Sequence, residues 1–256
     1  MKKNFQILNG VALVATVIIN YLSNTGVFNG ETMATISAKY QNLFTPSGYA
    51  FSIWGLIYLG LFGFVIYFGP LTKQTEAKEK VVVNIGWWFA ISCIANSFWV
   101  LAWLYEYTLL TIPIMVLLLV ILFIIIQKFQ SEFNTKNIQT TLFLRLPFYI
   151  YSGWISVALI ADIAAYLKKI QWSGFGISET TWTIIMITIA SLLHLFMIWK
   201  QKMPAFALVA VWALLAIAAA NKEINHTVYR VAIYAAAFLL VNAIFRLVKR
   251  TPLNEN

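Results

Sequence analysis

Long apolar runs alternate with short polar joins along this chain. The runs are Phe5–Leu22, Tyr49–Phe68, Val81–Leu104, Leu109–Gln127, Leu144–Leu167, Thr180–Trp199, Met203–Ala220 and Val228–Val248. A helix rises about 1.5 Å per residue, so each run crosses roughly 30 Å of hydrocarbon, the shortest only just. An unpaired backbone amide in lipid costs several kcal/mol, which requires these runs to be helical. The pattern predicts an all-α integral membrane bundle of about eight transmembrane helices. Only Lys200, Gln201 and Lys202 separate the sixth run from the seventh. This predicts a tight antiparallel hairpin, with Pro204 in the first turn of the second helix. The join at residues 23–48 is much longer, and long joins often serve as lids or binding elements. Within it Met33, Ile36 and Tyr40 fall at i, i+3 and i+7, which predicts a short amphipathic helix.

Composition agrees with the pattern. Apolar residues make up 61% of the chain and charged residues 11%, with a mean hydropathy of +0.78. Soluble domains average about 45–50% apolar and roughly 25% charged. The net charge of +9 sits at run ends, so it does not point to nucleic acid. With an inner N-terminus, 13 cations fall on inner segments, among them Lys136 and Arg250, and five on outer ones. That bias predicts both termini on the cytoplasmic side of the cell membrane. Lys2 and Lys3 precede an apolar run without a small-x-small cleavage site, so the run reads as the first transmembrane helix. Cys93 is alone, and no intrachain disulfide can form.

Chemistry motifs are absent: no HExxH helix, no paired cysteines, no phosphate loop and no GxSxG elbow. With two histidines, His194 and His226, neither a metal site nor a covalent cofactor is expected, and no catalytic residue stands out. Asp162 is the only acidic residue well inside a run, about five residues from the outer end of its helix. Intramembrane carboxylates usually face a cavity or a polar partner. Asn96 lies at a similar depth and is a candidate hydrogen-bond neighbour, whereas His194 lies near the opposite membrane face. Several tryptophans, Trp87, Trp88, Trp172, Trp182 and Trp199, mark run ends, as belt residues do. Trp54, Trp99 and Trp154 lie deeper, either as packing or as walls of a pocket for a flat apolar ligand.

The segment Pro46-Ser47-Gly48-Tyr49-Ala50-Phe51, followed by Trp54 and Tyr58, resembles the PPGWVF…W…Y signature of the tryptophan-rich sensory protein and translocator protein family (TspO/MBR), with one residue fewer before Trp54. Asn96 and Trp99 resemble that family's Asn-x-x-Trp. Pro147, Trp154 and Asp162 resemble its Pro…Trp…Asn. Tyr49 stands where short members carry Trp, and Asp162 where they carry Asn. The resemblance covers residues 5–167 and implies a five-helix core over residues 1–167, with residues 168–256 as a three-helix membrane extension of unassigned role. It further implies ligand-binding positions at Tyr49, Phe51, Trp54, Tyr58, Asn96, Trp99, Trp154 and Asp162.

The leading expectation is a membrane sensor- or translocator-like protein. It would bind a hydrophobic planar molecule, a porphyrin or haem-like tetrapyrrole or a sterol-like compound, with the 23–48 segment helping to close the pocket. A secondary transporter of a small solute, with Asp162 taking a proton or cation, is an alternative. So is an intramembrane enzyme that degrades a bound porphyrin, and so is a purely structural packing role. Expected partners are the lipid bilayer and a hydrophobic small molecule. Gly55, Gly60 and Gly63 would also let a second copy approach as a homodimer.

Overall fold

The computed structural model describes residues 2–132 and 137–249. Among these residues all regular structure is helical. The helices are α1 (Lys2–Leu22), α2 (Met33–Lys39), α3 (Ile53–Phe68), α4 (Glu76–Ile85), α5 (Trp88–Leu104), α6 (Thr108–Glu132), the single turn α7 (Ile138–Thr140), α8 (Leu146–Lys169), α9 (Glu179–Trp199), α10 (Pro204–Asn221) and α11 (His226–Val248). A 3-10 turn, Gly48–Ser52, leads into α3, and a π-helical stretch, Thr141–Arg145, links α7 to α8. Lys136 and Arg250, two of the cations counted on inner segments, lie outside the described residues.

Seven helical segments are long and apolar enough to cross a membrane, and the count is eight if a bent pair, α4 with α5, is one span. The chain is a multi-pass membrane protein. Its exposed side chains fit that solvent: Val11, Leu59, Phe98, Leu109 and Val241 all face outward on helices. The single run expected over Val81–Leu104 is instead broken, with a 47° bend between the two helices. The break falls at Gly86, whose φ of +55° suits a residue without Cβ. The first member also begins earlier than the apolar pattern indicated. Thr75 accepts a hydrogen bond from the Lys78 backbone N–H at 3.3 Å, and Glu76 and Glu79 occupy the first turn. A hydroxyl cap and early acidic residues both favour a helix start.

The chain divides into two compact units. The first joins Met1–Lys39 to Ile53–Ile155, and the second joins Tyr40–Ser52 to Ser156–Asn256, so α8 runs from one into the other. In the first unit, α1 packs on α3, α4 and α5, and α5 also packs on α6 and α2. Polar side chains tie α1 to α5. Thr16 Oγ1 donates to Cys93 O at 3.1 Å, and Asn20 Nδ2 donates to Asn96 Oδ1 at 2.9 Å. Gly60 and Gly63 allow α3 to approach its neighbours within the same unit. A Cβ on Gly60 would meet Pro147 at 3.2 Å, and one on Gly63 would meet Phe143 at 3.0 Å. These two glycines are therefore occupied internally, while Gly55 has open space around it. The amphipathic turn is present as α2, with Met33 and Ile36 buried.

In the second unit α9, α10 and α11 pack on one another. Of the spans, α10 is the most enclosed, with 67% of its apolar window buried. Its Ala207, Ala210, Ala213, Ala216 and Ala218 are buried, as are Ala232, Ala236 and Ala243 of α11. Small residues let helix backbones approach closely, which is how helices associate when lipid removes the hydrophobic drive. The connection from α9 to α10 turns at Lys202, with φ of +58°, and Pro204 opens α10.

Candidate functional site

Helical periodicity gathers the aromatic candidates of the first unit. Trp54 and Tyr58 are four apart on α3, Asn96, Trp99 and Trp103 share a face of α5, and Tyr151 and Trp154 are three apart on α8. The Trp54 and Tyr58 rings stack at 5.4 Å with 22° between planes, and Tyr151 meets Trp54 edge-on at 5.8 Å. Trp99 and Trp103 stack at 6.0 Å and 19°. Trp99 and Trp154 are buried and Trp54 is half-buried. The deep tryptophans therefore turn into protein and not separately out to lipid.

The polar atoms here are unevenly satisfied. Asn96 Oδ1 accepts from Asn20, but Asn96 Nδ2, Tyr58 Oη and Trp99 Nε1 are buried with no hydrogen-bond partner. The Tyr151 hydroxyl lies beside the Asn96 amide. The Tyr58, Tyr151 and Cys93 side chains are electrostatic neighbours, which brings α3, α5 and α8 together at this level. A buried polar group left unpaired costs about 1–3 kcal/mol. Three such groups lie on α3 and α5 of the first unit.

Three further candidates fall in the second unit. Tyr49 meets Trp212 edge-on at 5.2 Å, and Trp212 Nε1 donates to Ala50 O at 3.1 Å. Ser47 N donates to Ala216 O at 3.0 Å, and Asn221 Nδ2 donates to Leu43 O at 2.9 Å. The segment that carries Tyr49 and Phe51 is thus fastened to α10 through its backbone. Asp162 is buried on α8, also in the second unit. His194 Nδ1 donates to Ala190 O at 2.7 Å, and its Nε2 shares a hydrogen bond of 3.3 Å with Ser156 Oγ. These contacts hold His194 between α8 and α9.

Tyr151, Cys93 and Asn20 belong to the first-unit group but do not stand out in the sequence. Tyr151 precedes Trp154 by one turn and is one of several aromatic residues in its run. Asn20 sits near the end of its run and reads as an interfacial amide. Among the described residues no three His, Cys, Asp or Glu side chains cluster as metal ligands.

The second unit also holds a cavity of about 550 Å³ beside Trp172 and Trp182. Trp182 Nε1 donates to Gly174 O at 2.9 Å, and the two indoles meet at 5.1 Å.

No curated protein and no solved structure matches the chain. A family model described as TSPO-like protein matches residues 6–245, a span that takes in the last three helices as well as the first five. With that match running nearly end to end, the chain belongs to the TSPO-like protein family.

Proposed function

We propose that this protein binds a hydrophobic planar ligand among the aromatic side chains of α3, α5 and α8. The observation that carries the reading is the set of three buried, unpartnered polar atoms, Tyr58 Oη, Asn96 Nδ2 and Trp99 Nε1. Two of these are donors only, so the matching ligand edge is rich in acceptors. The stacked Trp54–Tyr58 and Trp99–Trp103 pairs offer flat faces. Ring faces and an acceptor edge together suit a carboxylate-bearing tetrapyrrole better than a sterol with its single hydroxyl. Trp154 supplies further buried aromatic surface. Apolar burial, at about 25 cal/mol per Å² before ordering costs, would provide most of the affinity.

The test is titration of a porphyrin dicarboxylate into the protein in nanodiscs, with empty nanodiscs subtracted and the ligand's own absorbance band as readout. A saturable band shift is expected, and it should vanish in the combined Trp54→Phe, Trp99→Phe, Trp154→Phe variant. Undiminished saturable binding in that variant would overturn the proposal.

A further inference from the structure

The cavity in the second unit has a chemistry of its own. Its volume of about 550 Å³ falls in the range of small-molecule sites, roughly 300–1,000 Å³. Leu167, Trp172, Trp182 and Met186 give it an apolar wall, and Lys168 and Glu179 bring charge to its lining.

The wall is held in place. The Trp182 indole is fixed by the Gly174 carbonyl, and a Cβ at Gly174 would stand 3.2 Å from that ring. Gly174 also has φ of +68°, so both its space and its conformation call for glycine. Glu179 is committed as well: its Oε1 accepts from the Leu43 backbone N–H at 3.0 Å.

The two neighbouring cations differ. Lys169 turns to the Tyr40 ring, 5.7 Å from its centroid. Lys168 lines the cavity, and its ammonium makes no ion pair or hydrogen bond among the described residues. A favourable location at the C-terminal end of α8 accounts for a cation there. It does not account for a half-buried aromatic wall beside an uncommitted ammonium.

We infer that this cavity is a binding site for an anionic amphiphile, whose apolar body rests on Trp172 and Trp182 and whose carboxylate or phosphate meets Lys168. The inference does not rest on the proposed ligand of the first unit. The same head-group chemistry is offered by a membrane lipid and by a water-soluble anion, and the test separates them.

The full chain is placed in nanodiscs of zwitterionic lipid and titrated with a dansyl-labelled undecanoic acid. Tryptophan-sensitised dansyl emission is the readout. Saturable binding is expected, about tenfold weaker in Lys168→Gln, and about tenfold weaker for the methyl ester of the probe. Equal affinity of wild type and Lys168→Gln, or of acid and ester, would overturn the inference. A second variant, Met186→Trp, fills the cavity. It should abolish the dansyl signal while leaving the far-ultraviolet circular dichroism of the protein intact, and a surviving dansyl signal would place the probe elsewhere and sink the proposal. Displacement by phosphatidylglycerol built into the disc assigns a lipid head group. Displacement by inorganic phosphate assigns a soluble anion, and displacement by neither rejects the site.

Discussion

Replacing Tyr58 by Phe should change stability and ligand affinity in opposite directions. The substitution removes one oxygen and keeps the ring that stacks on Trp54 at 5.4 Å. In an ordinary buried tyrosine the hydroxyl is hydrogen-bonded, and its loss costs about 0.5–1.5 kcal/mol. Tyr58 Oη is buried without a partner, so the ligand-free protein already carries a desolvation penalty of about 1–3 kcal/mol. Relief of part of that penalty predicts Tyr58→Phe to be more stable than wild type by about 1 kcal/mol, near a fivefold change in the folded-to-unfolded ratio. On the function proposed above, a porphyrin dicarboxylate gives the hydroxyl its acceptor. Its removal should then weaken binding about tenfold, equivalent to roughly 1.4 kcal/mol. The assays are equilibrium unfolding in mixed micelles without ligand, and the absorbance titration in nanodiscs. A ligand-free variant less stable than wild type by a kcal/mol would refute the reasoning, since it would mean that the hydroxyl is already paired inside the protein.

Other perturbations follow from the packing. Gly63→Val should destabilise by about 1–3 kcal/mol, because the new side chain enters space held by Phe143, whereas Gly55→Ala, with nothing within 4 Å, should be neutral; unfolding midpoints compare the two. Asn20→Ala and Asn96→Ala should show a coupling of about 0.6–1.7 kcal/mol in a double-mutant cycle, the range for hydrogen bonds between membrane helices, and purely additive losses would mean that the 2.9 Å contact contributes nothing. Lys39→Ala should cost less than about 1 kcal/mol, and the loss should shrink in high salt, because the Lys39–Glu106 pair is partly exposed.

Much of the fold was legible in the sequence because the bilayer sets a length that soluble proteins lack. Runs such as Thr180–Trp199 and Val228–Val248 end within two residues of α9 and α11. The bend at Gly86 was not legible, since apolar residues continue on both sides of it and a glycine within a run has several readings. The candidate site was readable as far as helical spacing goes: i, i+3 and i+4 relations already put Trp54 with Tyr58 and Asn96 with Trp99. Spacing carries no information on which amide is already paired, so neither the role of Asn20 nor the unpartnered state of Trp99 Nε1 could be read. The attachment of residues 40–52 to α10 was equally hidden. Its contacts run mainly through backbone groups such as Leu43 O, Ser47 N and Ala50 O, which every residue type possesses.

That attachment sets a timetable for biogenesis. Ala50 and the residues before it leave the ribosome some 165 positions ahead of Trp212 and Ala216, which is a delay of roughly 10–30 s at 5–20 residues per second. Through that interval the approach to the second span waits without its eventual backbone partners. A nascent chain halted after α8 would hold its early helices yet leave this stretch unanchored and open to proteases or to mispairing. Completion of α10, late in synthesis, is the event that closes it.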